Sequence, residues 1–232
     1  AFDAAGSDAA REALAQELRG HVLAAAQSPH ANHVLQKAIQ VVPPKALQFI
    51  VDEVVSASVH QIARHKYGCR IVQRLVEHCP QQQVRGIIDD VLRHMTEFSA
   101  HPYGNYVVQN IFEHSTDEDR TRIARVVRDR LPSFCSDAHA SAVVGTVLAA
   151  PSPPATRREI AGLLLEQPDL LSVMAYTKCG SLAVKRAVDA LEEADRRRVA
   201  GVLSAEFDAL GASRYGRDVV EYLQAVQSII KP

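Results

Sequence analysis

The 232 residues are 47% apolar, enough to bury a continuous core, and no run approaches the 18 apolar residues of a membrane span. The 26 basic and 27 acidic residues leave a net charge of −1. They divide 15 and 15 up to Arg130 and 11 and 12 beyond it, which excludes the strongly basic block that marks many nucleic-acid binders.

In chain order, the sequence repeats itself. The first unit, near 8–43, carries the window Ser28-Pro-His-Ala-Asn-His-Val-Leu-Gln36. The second, 44–79, opens on Pro44, runs an apolar stripe Leu47-Ile50-Val51-Val54 and carries His65-Lys-Tyr-Gly-Cys-Arg-Ile-Val-Gln73. The third, 80–115, opens on Pro80, follows with Val84-Ile87-Ile88-Val91 and ends in His101-Pro-Tyr-Gly-Asn-Tyr-Val-Val-Gln109. The fourth, 116–151, has Asp117-Glu118 at its start, then Ile123-Val126-Val127 and Asp137-Ala-His-Ala-Ser-Ala-Val-Val-Gly145. The fifth, 152–191, has Pro153, Ile160-Leu163-Leu164 and Thr177-Lys-Cys-Gly-Ser-Leu-Ala-Val-Lys185, with extra residues near Pro151-Ser-Pro-Pro154 or Gln167-Pro168. The sixth, 192–232, has Glu192-Glu193, Val199-Val202-Leu203 and Ser213-Arg-Tyr-Gly-Arg-Asp-Val-Val-Glu221.

The last residues of successive windows lie 37, 36, 36, 40 and 36 positions apart. A period of this size predicts a stacked solenoid, because one unit cannot bury its apolar face alone. The stripes at i, i+3, i+4 and i+7 are helical, and proline or acidic residues at each opening suit a helix N-terminus. No alternating strand pattern occurs. The expectation is an all-α superhelix of about six three-helix repeats forming one domain.

Within each window, places five and nine stand four residues apart and so share a helix face. They are Asn32/Gln36, Cys69/Gln73 and Asn105/Gln109 in the first three repeats, predicted to face outward while Val34-Leu35, Ile71-Val72 and Val107-Val108 point to the core. Place six holds His33, Arg70 or Tyr106, flat groups able to stack on a base.

These windows closely resemble the helix motif of PUF (Pumilio-like) repeats over essentially the whole chain, most specifically in the first three. The resemblance implies a single-stranded RNA-binding module that reads one base per repeat, with RNA antiparallel to the protein. Asn/Gln then implies uracil and Cys/Gln adenine, so repeats three, two and one read 5′-UAU-3′. The later windows depart from the pattern. Ser141 is paired with Gly145, and Ala142 cannot stack; Ser181 is paired with Lys185, which suits a phosphate; Arg217 and Glu221 are spaced to pair with each other. The implied role is a monomeric, cytoplasmic post-transcriptional regulator of mRNA, acting through 3′ untranslated regions and regulatory protein partners. The alternatives are a protein-interaction scaffold whose RNA code has decayed, or a nucleolar relative that binds structured RNA.

Other features read as structural. His65 and His101, and His78 and His114, recur by repeat as helix-end or packing groups. Tyr67, Tyr103 and Tyr215 suit packing between repeats, and Arg196-Arg-Arg198 a solvated outer face. No metal-ligand spacing, cofactor motif or catalytic motif is present, so neither a cofactor, a metal nor an enzyme is expected. Cys69, Cys79, Cys135 and Cys179 form no CxxC pair and suit free thiols in a reducing compartment. The start lacks a signal-peptide pattern, and the absence of an initial Met points to a domain from a longer chain.

Overall fold

The computed structural model describes residues 2–230, and the side chains of 2–226. Among the described residues there are eighteen α-helices and no strand. They fall into triplets at the predicted period. The first triplet is α1 (Asp8–Gln16), α2 (Val22–Gln27) and α3 (Ala31–Val41); the second is α4 (Gln48–Ala57), α5 (Val59–Ala63) and α6 (Gly68–His78). Then follow α7 (Gln81–Arg93), α8 (Met95–Ser99) and α9 (Gly104–His114), and next α10 (Asp117–Asp129), α11 (Leu131–Ser136) and α12 (Ala140–Val147). The last two are α13 (Pro154–Leu165), α14 (Pro168–Ala175) and α15 (Lys178–Ala190), and α16 (Glu193–Ser204), α17 (Phe207–Ala212) and α18 (Arg214–Ile230).

The expected helix openings hold. Pro44 begins a 3₁₀ turn that runs into α4, Pro80, Pro153 and Glu192 are the N-caps of α7, α13 and α16, and Asp117 is the first residue of α10. The extra length of the fifth repeat goes mainly into its middle helix: α14 has 8 residues, where α5 has 5 and α11 has 6.

The chain forms two compact units, one ending at Arg120 and the other beginning at Thr121. In the first, α3, α6 and α9 lie side by side, with α4 packed on α7 in a second layer. Leu35, Ile71, Leu75, Val107 and Ile111 from the window helices meet Ile50, Val54, Ile87 and Ile88 from the outer ones, all within the core. Each fully buried side chain of this size contributes about 1.5–3 kcal/mol. In the second unit, α12, α15 and α18 pack in the same order, with α13 against α16. One expectation fails here. Val34 is 48% exposed while Leu35 is wholly buried.

The first place of every window caps the helix that follows. The side chains of Ser28, His65, His101, Asp137, Thr177 and Ser213 each accept a hydrogen bond from the backbone N–H three residues on, at 2.8–3.3 Å. Four residue types thus satisfy one orphan donor of a helix N-terminus. The recurrent His65 and His101 are helix-end groups, accepting through Nδ1. At the fourth place the helix starts beneath a carbonyl of the preceding short helix. A Cβ on Gly68 would lie 2.5 Å from the Ile62 oxygen, one on Gly104 2.7 Å from that of Phe98, and one on Gly180 2.4 Å from that of Met174.

Polar clamps join neighbouring repeats inside the first unit. Arg85 on α7 donates two bonds to the buried Asp119 carboxylate, both at 2.9 Å, while Thr116 donates a third. Asn110 donates to Glu77 at 2.7 Å. Helix ends are closed by long side chains: Arg120 donates to the Phe112 carbonyl, and Arg196 to those of Val188 and Leu191. Arg197 and Arg198 pair with Glu193 and Asp195, as a solvated outer face requires.

Candidate nucleic-acid interface

The window helices present their polar places in a way the spacing alone does not predict. Asn32 and Asn105 are buried, at 0% and 3% exposure. Asn32 Nδ2 donates to the Ser28 carbonyl at 2.7 Å, and its Oδ1 accepts from Gln36 Nε2 at 2.8 Å. Asn105 repeats this, donating to His101 O at 2.8 Å and accepting from Gln109 at 2.9 Å. The expectation of two polar groups side by side on one outward face is therefore corrected. Asn sits beneath and orients, and the half-exposed Gln is what the surface offers. Short polar side chains near a helix start turn back onto the carbonyl four residues earlier, which draws place five inward.

Cys69, Ser141 and Ser181 follow the same rule. All three are buried, and each donates to the carbonyl three residues earlier, Lys66, Ala138 or Lys178, at 3.5, 3.2 and 3.1 Å. Burial pushes the Cys69 thiol above its ordinary pKa. Gln73 has no small amide beneath it, so its own amide keeps both a donor and an acceptor.

Place six is open to solvent in the first three repeats. His33 and Arg70 are exposed, and Tyr106 shows 55% of its surface. Between the second and third repeats these groups frame an open hollow of about 530 Å³. It is lined by Lys66, Tyr67, Cys69, Arg70, Gln73, Tyr103 and Tyr106. Its lining thus offers a flat ring a guanidinium and phenols for stacking, with the Cys69 and Gln73 pair beside them. Tyr67 and Tyr103, expected to pack between repeats, are walls of this hollow, and Lys66 joins them. Their recurrence at place three was the available signal, but recurrence alone does not separate a wall from a packing contact.

The second unit lacks these features. Ala142 and Leu182 occupy the stacking place, Leu182 at 45% exposure. Gly145 is buried, and a Cβ there would touch Ala183 Cβ at 3.4 Å. Arg186 covers that spot, donating to the Gly145 carbonyl at 2.8 Å. Lys185 is half-exposed. The spacing of Arg217 and Glu221 suggested a pair. Arg217 instead donates to the Gly211 carbonyl at 3.2 Å, and no ion pair joins it to Glu221 among the described residues.

Residues 21–55, 58–92 and 94–127 match the sequence model of the Pumilio-family RNA binding repeat. The chain is 34% identical over 87 residues to Fem-3 mRNA-binding factor 1 of Caenorhabditis elegans, covering 37% of this chain and 14% of that protein. It is 32% identical over 85 residues to Pumilio homology domain family member 4 of Saccharomyces cerevisiae, covering 37% and 10%. This chain thus spans a small part of both relatives. Among solved structures, PUF-8 in complex with PBE-RNA superposes with a TM-score of 0.80 at 26% identity, over 95% of this chain and 66% of that one. The Puf3 RNA binding domain bound to a Cox17 RNA 3′ UTR sequence reaches 0.80 at 19% identity, over 97% and 68%, and shows the shared fold. Three repeats before residue 128 thus match the Pumilio-family RNA binding repeat, and the chain shares the α-α superhelical fold of PUF (Pumilio-homology) domains.

Proposed function

We propose that the chain binds single-stranded RNA and that its first unit selects bases, one per repeat, with a 5′-UAU-3′ core. The hollow lined by Arg70 and Tyr106, with Cys69 and Gln73 beside them, carries this reading. Base stacking on an aromatic or guanidinium plane contributes about 1–3 kcal/mol. Adenine presents an amino donor beside a ring acceptor, and the unencumbered Gln73 amide offers the complementary pair. In the flanking repeats Asn32 and Asn105 each take one Gln proton, leaving an amide of fixed orientation for uracil. The named partners of similar proteins, an mRNA for the Fem-3 factors and PBE-RNA for PUF-8, support an RNA ligand. The chain would act as a monomeric cytoplasmic regulator of mRNA, holding RNA without chemistry of its own and recruiting or blocking protein partners.

The test is fluorescence anisotropy with a short strand containing UAU against the same strand carrying CCC. Preference for UAU by roughly 5- to 150-fold is expected, the value of one good bidentate pair. Equal affinities would reject base selection. In the double variant Cys69→Ser/Gln73→Glu, a carboxylate replaces the amide in the lining of the hollow. Preference at the central position should move from adenine to guanine, whose ring N–H and amino group are both donors.

A further inference from the structure

The chain is neutral overall, yet its positive charges are not equally compensated. On the outer helices Arg85, Arg128, Arg158, Arg197 and Arg198 each hold a carboxylate. On the window helices of the second unit Lys178, Lys185 and Arg214 hold none among the described residues. Lys178 and Arg214 are exposed and Lys185 half-exposed. Lys178 and Lys185 are seven residues apart, two helical turns, so they stand on one side of α15 about 10 Å from each other. Arg214 is the residue of α18 equivalent to Lys178, one repeat on, and α15 and α18 are packed neighbours. Lys66 fills the same second place in the first unit and lines the hollow there. In the first unit, then, a basic second place borders the window face, and Lys178 and Arg214 hold the equivalent place in the second.

The base-selecting parts are missing from the same face. No flat side chain stands at Ala142, Leu182 or Asp218, Ser141 and Ser181 are buried, and Gly145 lets α12 and α15 close to contact at Ala183. The remaining chemistry suits a polyanion whose charge lies outside the bases. Resting on the RNA-binding reading above, we infer that the second unit holds single-stranded RNA by its phosphodiester backbone, through Lys178, Lys185 and Arg214, without regard to sequence. Asp218 and Glu221, exposed on α18, are the opposing charges of this face and limit its strength. The two units thereby divide the labour, one choosing bases and the other adding affinity to any strand.

Whole-chain titrations with long oligouridine and oligocytidine strands over a range of salt test this. Each phosphate held on a single strand contributes about −0.7 to the slope of log affinity against log salt. The triple variant Lys178→Gln/Lys185→Gln/Arg214→Gln should therefore flatten the slope by ~2 on both strands, with the UAU-over-CCC ratio unchanged. Asp218→Asn/Glu221→Gln should tighten both strands at low salt. An unchanged slope in the triple variant overturns the inference while leaving base selection standing. A flattened slope in a chain with no UAU preference upholds it and removes base selection instead. No binding of any strand at low salt overturns both.

Discussion

Tyr106 keeps more than half its surface in solvent at the rim of the hollow, so its removal probes the ligand rather than the fold. Tyr106→Ala is expected to weaken binding of the UAU strand by roughly 5- to 150-fold, the value of one stacking contact. The urea midpoint should stay within error, because exposed substitutions change stability by about 0.5 kcal/mol or less. An equal loss of both would make Tyr106 a packing residue. At this scale the sequence placed residues on a common helix face but did not give their depth. Asn32 and Gln36 share a helix face by spacing, yet one is sealed and the other offered. Asn32 turns back onto the Ser28 carbonyl and is covered there, and residue spacing alone does not give that depth.

The helix start shows why the fourth window place is small. Gly104 lies so close to the Phe98 carbonyl that an added methyl group would be 2.7 Å from it. Gly86, on the exposed side of α7, would meet only Val55 at 3.9 Å. Alanine at the two positions should act in opposite directions. Gly104→Ala is expected to destabilise by about 1–3 kcal/mol, as for other overpacked sites, and Gly86→Ala to stabilise by roughly 0.5–1 kcal/mol through helix propensity. Urea denaturation reads both, and a shared sign would refute the close-approach argument. In repeats one and four the place holds Ala31 and Ala140, so those helices start with more clearance. Helix existence, order and openings were legible from period and punctuation. The shortness of α12 and the length of α14 were not, since both follow from how the fourth and fifth repeats pack.

For the molecule as a whole, the thiols report the integrity of the stack. Cys69, Cys79 and Cys135 are buried and Cys179 is partly accessible. Burial raises the Cys79 thiol from 9.0 to about 11 and that of Cys135 to about 12. In the folded chain at mildly alkaline pH, iodoacetamide should modify Cys179 and spare the other three until denaturant is added. The linked pH effect has a definite sign. Below pH 9 these thiols are protonated in both states and their contribution is complete; from pH 9 toward 12 the unfolded chain ionises first, so stability falls. A thermal melting temperature that is flat through this alkaline window would contradict their burial.

The residues by themselves determined the repeat, its period, the all-helical class and the positions at which a face is formed, because these depend on apolar spacing and helix punctuation along one chain. The tertiary structure decided which polar groups are sealed as supports, where Arg70 and Tyr106 enclose a hollow, and which cations go uncompensated. Those outcomes come from the distance between neighbouring helices, and that distance is set by side chains some 36 residues apart acting together.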